Sequence, residues 1–447
     1  MVMIKRVTIK ELFGIYNYDL SFSNDENLKI ITGPNGFGKT TLLRIIQNLQ
    51  ASNFWYFYFL VFSSIKIEYE NDTILITKGS HASQDTGQDT DTSTDSFVSF
   101  VLNDSDSAND VLVIDAESIR KQYRNIRRSI PTRIFDEGAI DVEKLFEQFY
   151  TQDNELDLFK TGNDLRMFLS VQSKCLFISE QRITKFNIGR LYRRPYEPFE
   201  DKRLVIENEV EKISTELVEL FKKADTEFAM KAQRYDATFI YRLIDSPSEF
   251  QCYTEDEYEQ ERIKITEKIN ALRKYGIVSM SEDRFESYRD RNKYKEHNKV
   301  LSLYMRDMNK KLSVYDDLYK KLNLLNKLIS SQGLSNKHLV FSKTKGLEIR
   351  SDIGSIVPLT KLSSGEQNIL ILYFKLLFSV SKGYTLLIDE PENSLHMAWL
   401  GGMLKDYLEI ARIMQCQIII ATHSPVLIDG RWDLSVDLFD IHNQQPA

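Results

Sequence analysis

The spacing of apolar and polar positions changes character several times along this chain. Ile4-Lys5-Arg6-Val7-Thr8-Ile9-Lys10 alternates and predicts a strand, and Leu28-Lys29-Ile30-Ile31-Thr32 is a short apolar run that predicts a buried one. Thr41 to Leu49 then has helical apolar spacing. Residues 65–69 and 74–77 alternate on either side of Asn71-Asp72 and predict a hairpin; 97–102 and 111–114 resume the sheet. Between them, residues 79 to about 96 are polar, with no large apolar side chain to anchor them, and predict a mobile loop. The most apolar run, Phe54 to Phe62, predicts a core strand, being about half the length a membrane helix needs.

Further on, a charged stretch from about 116 to 170 predicts helix, and Cys175-Leu176-Phe177-Ile178, Leu386-Leu387-Ile388 and Ile418-Ile419-Ile420-Ala421 predict three more strands. From about Glu200 to Ser331 the pattern becomes long polar helices with an intermittent apolar stripe, as at Tyr315, Leu318, Leu322, Leu325 and Ile329. Breaks at 245–248 and 276–279 prevent a sustained heptad repeat, so this arm is expected to fold back compactly. Short alternating runs with glycines from His338 to Ile356 predict a small sheet.

Chemistry enters at the loop between the second strand and the first helix. Gly33-Pro34-Asn35-Gly36-Phe37-Gly38-Lys39-Thr40 fits the phosphate-loop pattern and runs into Thr41. Glycines let the backbone N–H groups wrap phosphates at a helix N-terminus, Lys39 would reach the β- and γ-phosphates, and the Thr40 hydroxyl would meet Mg²⁺. Leu386-Leu387-Ile388-Asp389-Glu390 is an apolar strand closed by two carboxylates. Asp389 would serve the metal shell and Glu390 would act as general base on an attacking water. His423, at the end of the 418–421 strand, stands where a γ-phosphate sensor belongs, and Gln181 would complete the Mg²⁺ shell after the 175–178 strand. ATP and Mg²⁺ are the expected ligands.

Composition narrows the class. With 447 residues, 42% hydrophobic and 28% charged, the chain can bury one large core or two smaller ones. A net charge of −7 argues against coating nucleic acid by phosphate neutralisation, so any such contact would be local. Candidates are Arg120, Lys121, Arg124, Arg127, Arg128 and Arg133, and separately Arg190, Arg193 and Arg194, although charge runs are usually solvated faces. Cys175, Cys252 and Cys416 lie far apart with no paired spacing, which argues against a zinc hook or a disulfide framework and suits a reducing cytoplasm. Charges in the first ten residues replace the unbroken apolar stretch of a signal peptide.

With these motifs and Leu362-Ser363-Ser364-Gly365-Glu366-Gln367, the chain resembles ABC-type ATPases, in the branch holding the SMC proteins, the zinc-hook repair ATPases and the OLD family. The resemblance covers both ends of the chain. Lys39 and Ser363 stand 324 residues apart, unlike the closer spacing of transporter ATPases. It implies an α/β ABC-type head, a mixed sheet with flanking helices, built from 1–199 and 336–447 around a helical insertion at 200–335. It also implies that Ser363, Ser364, Gly365 and Glu366 serve the nucleotide of a second copy, so that two sites are shared across a dimer. The family further implies assemblies larger than a dimer, often hexamers.

Asp389-Glu390-Pro391-Glu392-Asn393-Ser394-Leu395-His396 is similar to the form found in OLD-like ATPases of bacterial antiphage systems, whereas SMC proteins carry Asp where His396 stands. About twenty residues follow Pro425, too few for the nuclease domain of OLD nucleases. The resemblance therefore implies a nuclease effector on another chain, as in PARIS or Septu, and a phage protein as trigger. The alternative is a DNA-repair ATPase of the RecF or zinc-hook kind; the acidic balance, the missing hook and Leu395-His396 favour the first.

Overall fold

A computed structural model describes residues 3–22, 26–81, 95–103, 111–119, 121, 175–179, 184–187, 205–245, 251–279, 291–331, 334, 336–393, 395 and 397–443. The chain forms two compact units: Met1–Arg182 with Phe186–Val205 and Ser379–Ala447, and Ile183–Lys185 with Ile206–Phe378.

In the first unit the chain runs through β1 (Arg6–Leu12), β2 (Tyr16–Ser21), β3 (Leu28–Thr32), α1 (Lys39–Gln50), α2 (Trp55–Phe59), β4 (Ser64–Glu68), β5 (Thr73–His81), β6 (Asp95–Leu102), β7 (Val111–Asp115) and β8 (Cys175–Ile178). β9 (Thr184–Asn187) and β10 (Val205–Asn208) pair as a separate two-stranded sheet. Strands β2-β1-β4-β5-β6-β7 form one antiparallel sheet whose inward positions, among them Ile9, Ile65, Ile67, Ile74, Ile76, Val98 and Phe100, are fully buried. Leu42, Leu43, Ile45, Ile46 and Leu49 of α1 join the same core, as their helical spacing requires.

Two expectations change here. The Phe54–Phe62 run is not a strand: residues 55–59 form α2. A run without polar interruptions carries no period, so spacing cannot separate a short helix from a strand. Trp55, Tyr56 and Phe57 all bury, and Phe54 and Phe57 each meet the edge of the Phe100 ring on β6. The stretch expected as a polar loop is also strand at both ends, through His81 and from Asp95. β5 continues through Gly79 to His81, with Gly79 opposite Phe97, whose ring would lie 2.5 Å from a Cβ there. The missing side chain is what admits that ring. Residues 82–94 lie outside the described residues, as do nearly all of 116–170, most of both basic clusters, Gln181 and His396. β2, not expected from the pattern, pairs with β1 in register Val7↔Leu20.

The second sheet positions the chemistry. After the second unit the chain returns as β14 (Thr385–Asp389), α8 (Met397–Met414), β15 (Gln417–Ala421), α9 (Pro425–Ile428), β16 (Ser435–Asp437) and α10 (Leu438–Asn443). The parallel order β16-β3-β15-β14-β8 brings together strands hundreds of residues apart, with Ile388 beside Ile420 and Ile420 beside Ile30. Every residue of β14 and β15 is buried, as expected of near-continuous apolar strands in a parallel sheet. Their carboxyl ends, with the turn after β3, therefore converge on one edge, where ligands bind in open α/β sheets.

The second unit contains α3 (Glu209–Ile244), α4 (Glu255–Lys274), α5 (Arg291–Leu312), α6 (Asp316–Ser331), the small antiparallel sheet β11 (Lys337–Ser342), β12 (Gly346–Ser351) and β13 (Ile356–Val357), and α7 (Ser364–Phe378). The helix breaks fall where Pro247 and Gly276 stand in the sequence; α3 ends at Ile244 and α4 at Lys274. Asn208 caps α3 through Val210 N, and Thr254 with Glu257 forms a capping box on α4. Leu217 and Phe221 of α3, Leu312 of α5 and Leu322 and Leu325 of α6 are buried. The expected α/β P-loop ATPase head with an inserted helical arm is the fold the chain adopts.

Candidate functional site

The phosphate loop leaves β3 at Thr32 and enters α1 at Lys39. Gly33, Gly36 and Gly38 have φ of 141°, 88° and 80°, in the region open to glycine, and a Cβ on Gly38 would come within 3.1 Å of Leu12 Cδ2. Gly38 is the N-cap and offers no side chain to the first N–H groups of α1; the first turn holds no acidic residue. These donors are left to an anion. Phe37 is fixed from outside: its carbonyl accepts from Tyr18 Oη at 2.7 Å, and its ring packs against Tyr16 and Phe439.

Lys39 is 5% exposed. Its Nζ donates to Gly33 O at 3.0 Å and Pro34 O at 3.2 Å, and lies 2.6 Å from His423 Nε2. An ammonium has only donors, so in this contact Nε2 is the accepting atom. Burial pushes the Lys39 ammonium below its ordinary range, opposed by the carboxylates of Glu390, Asp389, Glu392 and Asp437.

The Thr40 hydroxyl donates to Asp389 Oδ1 at 3.1 Å, across 349 residues of sequence. Asp389 is 6% exposed at the end of β14. Glu390, the next residue, adopts φ 43°, an unusual left-handed conformation for glutamate, and its N–H donates to Ala421 O at 2.9 Å. Its Oε1 lies 3.3 Å from His423 Nε2, and its Oε2 accepts from Asn393 Nδ2 at 2.8 Å. Thus Lys39, Thr40, Asp389, Glu390 and His423, all expected from sequence, meet at one edge of one sheet.

The site also holds residues that the sequence pattern did not mark. Glu392 Oε1 accepts from Thr422 Oγ1 and His423 N, Asn393 holds Glu390, and Asp437 accepts from Thr32 Oγ1 at 2.9 Å. For Glu392 and Asn393 the available signal was their place just past Pro391, which follows the two carboxylates.

The donor set fits the expected ligands. Positive-φ glycines and uncapped N–H groups suit phosphates, and the Thr40 and Asp389 oxygens are hard donors suited to Mg²⁺. Among the described residues no group of three or more His, Cys, Asp or Glu is arranged to hold a metal.

The segment expected to act across a dimer lies in the second unit. Ser363 N and Oγ both donate to Glu366 Oε2, at 2.8 and 3.0 Å, and Glu366 N approaches Ser363 Oγ at 3.3 Å, a capping box at the start of α7. Glu366 Oε1 pairs with Lys337 Nζ at 2.7 Å. Gln367 Nε2 donates to Leu362 O at 2.9 Å. Ser363 and Ser364 are exposed, whereas Gly365 and Glu366 are buried. Burial raises the Glu366 carboxyl, but the bonds from Lys337 and Ser363 outweigh it and leave it below the usual range.

Residues 3–428 match the profile of AAA_15, an AAA ATPase domain family. The chain belongs to that family. No curated protein matches it. Among solved structures it is similar to an SMC head from Pyrococcus furiosus, described with an extended coiled coil and bound to the C-terminal domain of ScpA. That likeness has 12% identity over 96% of this chain and 91% of the other, with a TM-score of 0.36. An SMC head bound to the C-winged helix domain of ScpA shares 11% identity over 95% and 91%, at a TM-score of 0.34. The SMC head domain from Thermotoga maritima shares 10% over 96% and 91%, at 0.31. Among the described residues no helix is long and apolar enough to cross a membrane.

Proposed function

We propose that this member of the AAA ATPase family binds and hydrolyses ATP with Mg²⁺ as the switch subunit of a bacterial antiphage system, controlling a nuclease on a separate chain in response to a phage protein. The observation that carries the hydrolytic part is the convergence of Thr40 on Asp389 and of His423 on both Lys39 and Glu390. The Asp389-to-His396 segment, similar to that of OLD-like ATPases, supports the defence role.

When bound, Mg²⁺ supplies charge neutralisation on the phosphates, and Thr40 and Asp389 would hold it. Lys39 would exchange His423 for phosphate oxygens, leaving the imidazole to sense the γ-phosphate. Glu390 would take the proton of the attacking water, its second oxygen kept in place by Asn393. Ser363, Ser364, Gly365 and Glu366 would complete the site of a second copy.

Replacing Glu390 with Gln tests the base. ATP binding is expected to persist while turnover falls roughly 10²-fold or more; turnover at the parent rate would remove Glu390 from that role. Mixing tests the shared site, because a Lys39→Ala chain keeps a sound signature segment and a Ser363→Arg chain keeps a sound phosphate loop. Hydrolysis regained on mixing two inactive proteins requires a site built from both. A dead mixture in which mass measurements show hetero-assemblies rules the shared site out.

A further inference from the structure

We infer that Glu392 is a positioning residue for His423, holding the sensor imidazole between Lys39 and Glu390 through the backbone rather than through the ring. The inference rests on the hydrolytic role proposed above. β15 ends at Ala421, and the chain must turn immediately so that the His423 ring faces Lys39. Ring and backbone of His423 are held by different residues. Glu392 Oε1 accepts the His423 N–H at 2.8 Å and the Thr422 hydroxyl at 2.6 Å. The same hydroxyl oxygen accepts Ser424 N–H at 2.9 Å, so one carboxylate oxygen organises three consecutive residues, 422 to 424.

Thr422 is fully buried, which makes this anchor costly to lose: a hydroxyl or N–H shut away from water needs its partner. A charged acceptor makes the bonds stronger than neutral ones. Glu392 follows Pro391, whose ring restricts its own φ, and Asn393 behind it grips Glu390. The turn after β14 therefore fixes the base with one side chain and the sensor with the next. Glu392 makes no bond to Lys39 or Thr40 among the described hydrogen bonds and acts on Lys39 only through its charge, so its removal is expected to leave nucleotide binding no weaker and to strike the chemical step.

Oε1 makes both bonds, while Oε2 has no hydrogen-bond partner among the described residues. A glutamine retains an acceptor at Oε1, so Glu392→Gln separates the hydrogen bonds from the charge. Expected for Glu392→Ala is a fall in kcat of about 10- to 100-fold with KM changed by less than about threefold, and for Glu392→Gln a kcat within about threefold of the parent. Combining Glu392→Ala with His423→Ala is expected to cost no more than His423→Ala alone, since a positioner has no effect once its object is gone.

A second measurement does not depend on hydrolysis. The rate of His423 modification by diethyl pyrocarbonate, followed by peptide mass spectrometry, is expected to rise several-fold in Glu392→Ala and stay near the parent rate in Glu392→Gln. If the alanine variant does not fold, Thr422→Val takes its place, because it removes one anchor with little change of shape. It is expected to lower kcat about three- to tenfold and to speed His423 modification. Alanine or valine variants with parental kcat and parental modification rates overturn the inference, as does a folded glutamine variant as slow as the alanine one. A parent protein that hydrolyses no ATP sinks the hydrolytic role instead, and the modification rates then decide the positioning of His423 alone.

Discussion

Two helices of this protein begin with the same chemical problem and solve it in opposite ways. Every α-helix starts with N–H groups that have no partner inside the helix. At α1 the sequence provides Gly38 as cap, no acid in the first turn and a buried lysine, so the donors and the positive end of the helix dipole remain available to an anion. At α7 it provides Ser363 as cap and Glu366 three residues on, and Glu366 is bound by Lys337. There the need is met internally, and Ser363 and Ser364 stay exposed. A helix start becomes a phosphate site when capping side chains are withheld and a cation is added.

The strongest way to break that contrast is to remove the cation. Lys39→Ala deletes a group that bonds Gly33 O, Pro34 O and His423 and that sits among Glu390, Asp389, Glu392 and Asp437. Without it those carboxylates repel phosphate unopposed. ATP affinity, measured by calorimetry, is expected to fall about 100-fold, equivalent to about 2.7 kcal/mol, and hydrolysis to become undetectable. Unchanged affinity would mean that the open helix start alone binds phosphate.

A smaller effect is expected when the loop itself is made acidic. Gly36 has φ 88° and open space where a Cβ would stand, and Asp tolerates left-handed backbone better than most residues. Gly36→Asp should therefore fold with a stability loss of about 1 kcal/mol while placing a carboxylate beside the phosphate cradle. ATP affinity is expected to drop about 10- to 30-fold, with the deficit shrinking at high salt as screening grows. A salt-independent deficit would assign the loss to strain instead of charge.

The same contrast explains what could be read from sequence. The phosphate loop was legible because glycine spacing, lysine and threonine are one local unit flanked by a strand and a helix, and Asp389, Glu390 and His423 were legible because each ends an apolar strand. Sheet order then does the rest: β3, β15 and β14 are neighbours, so their ends must converge. What stayed hidden depends on side chains meeting across the fold. Glu392 with Thr422, Asp437 with Thr32 and Lys337 with Glu366 are separated by 30, 405 and 29 residues, and even where Glu392 and Glu366 stand in motifs nothing local names these partners. The Phe54–Phe62 run failed for the opposite reason, since an unbroken apolar stretch fits either a helix or a strand until its neighbours are known.

The closed helix start offers the smallest and most discriminating test. Glu366 has its carboxyl below the usual range in the folded protein; burial acts to raise it, and the bonds from Lys337 and Ser363 more than compensate. Its ionised form is thus favoured by folding, so its contribution is fully present above the unfolded carboxyl value, near 4.3, and is lost as pH falls through the lower folded value. Glu366→Gln preserves shape but abolishes this titration and the pair with Lys337. At pH 7 the parent is expected to exceed the variant by about 1 kcal/mol, seen as a melting temperature about 2–4 °C higher. Repeating the comparison at pH 6, 5, 4 and 3.5 should show a constant difference down to about pH 5 and a shrinking one below it. Ser363→Ala is expected to lose a similar amount at pH 7 by removing one arm of the capping box. A difference between parent and Glu366→Gln that stays constant down to pH 3.5 would mean that packing alone, and not the ionised carboxylate, closes the start of α7.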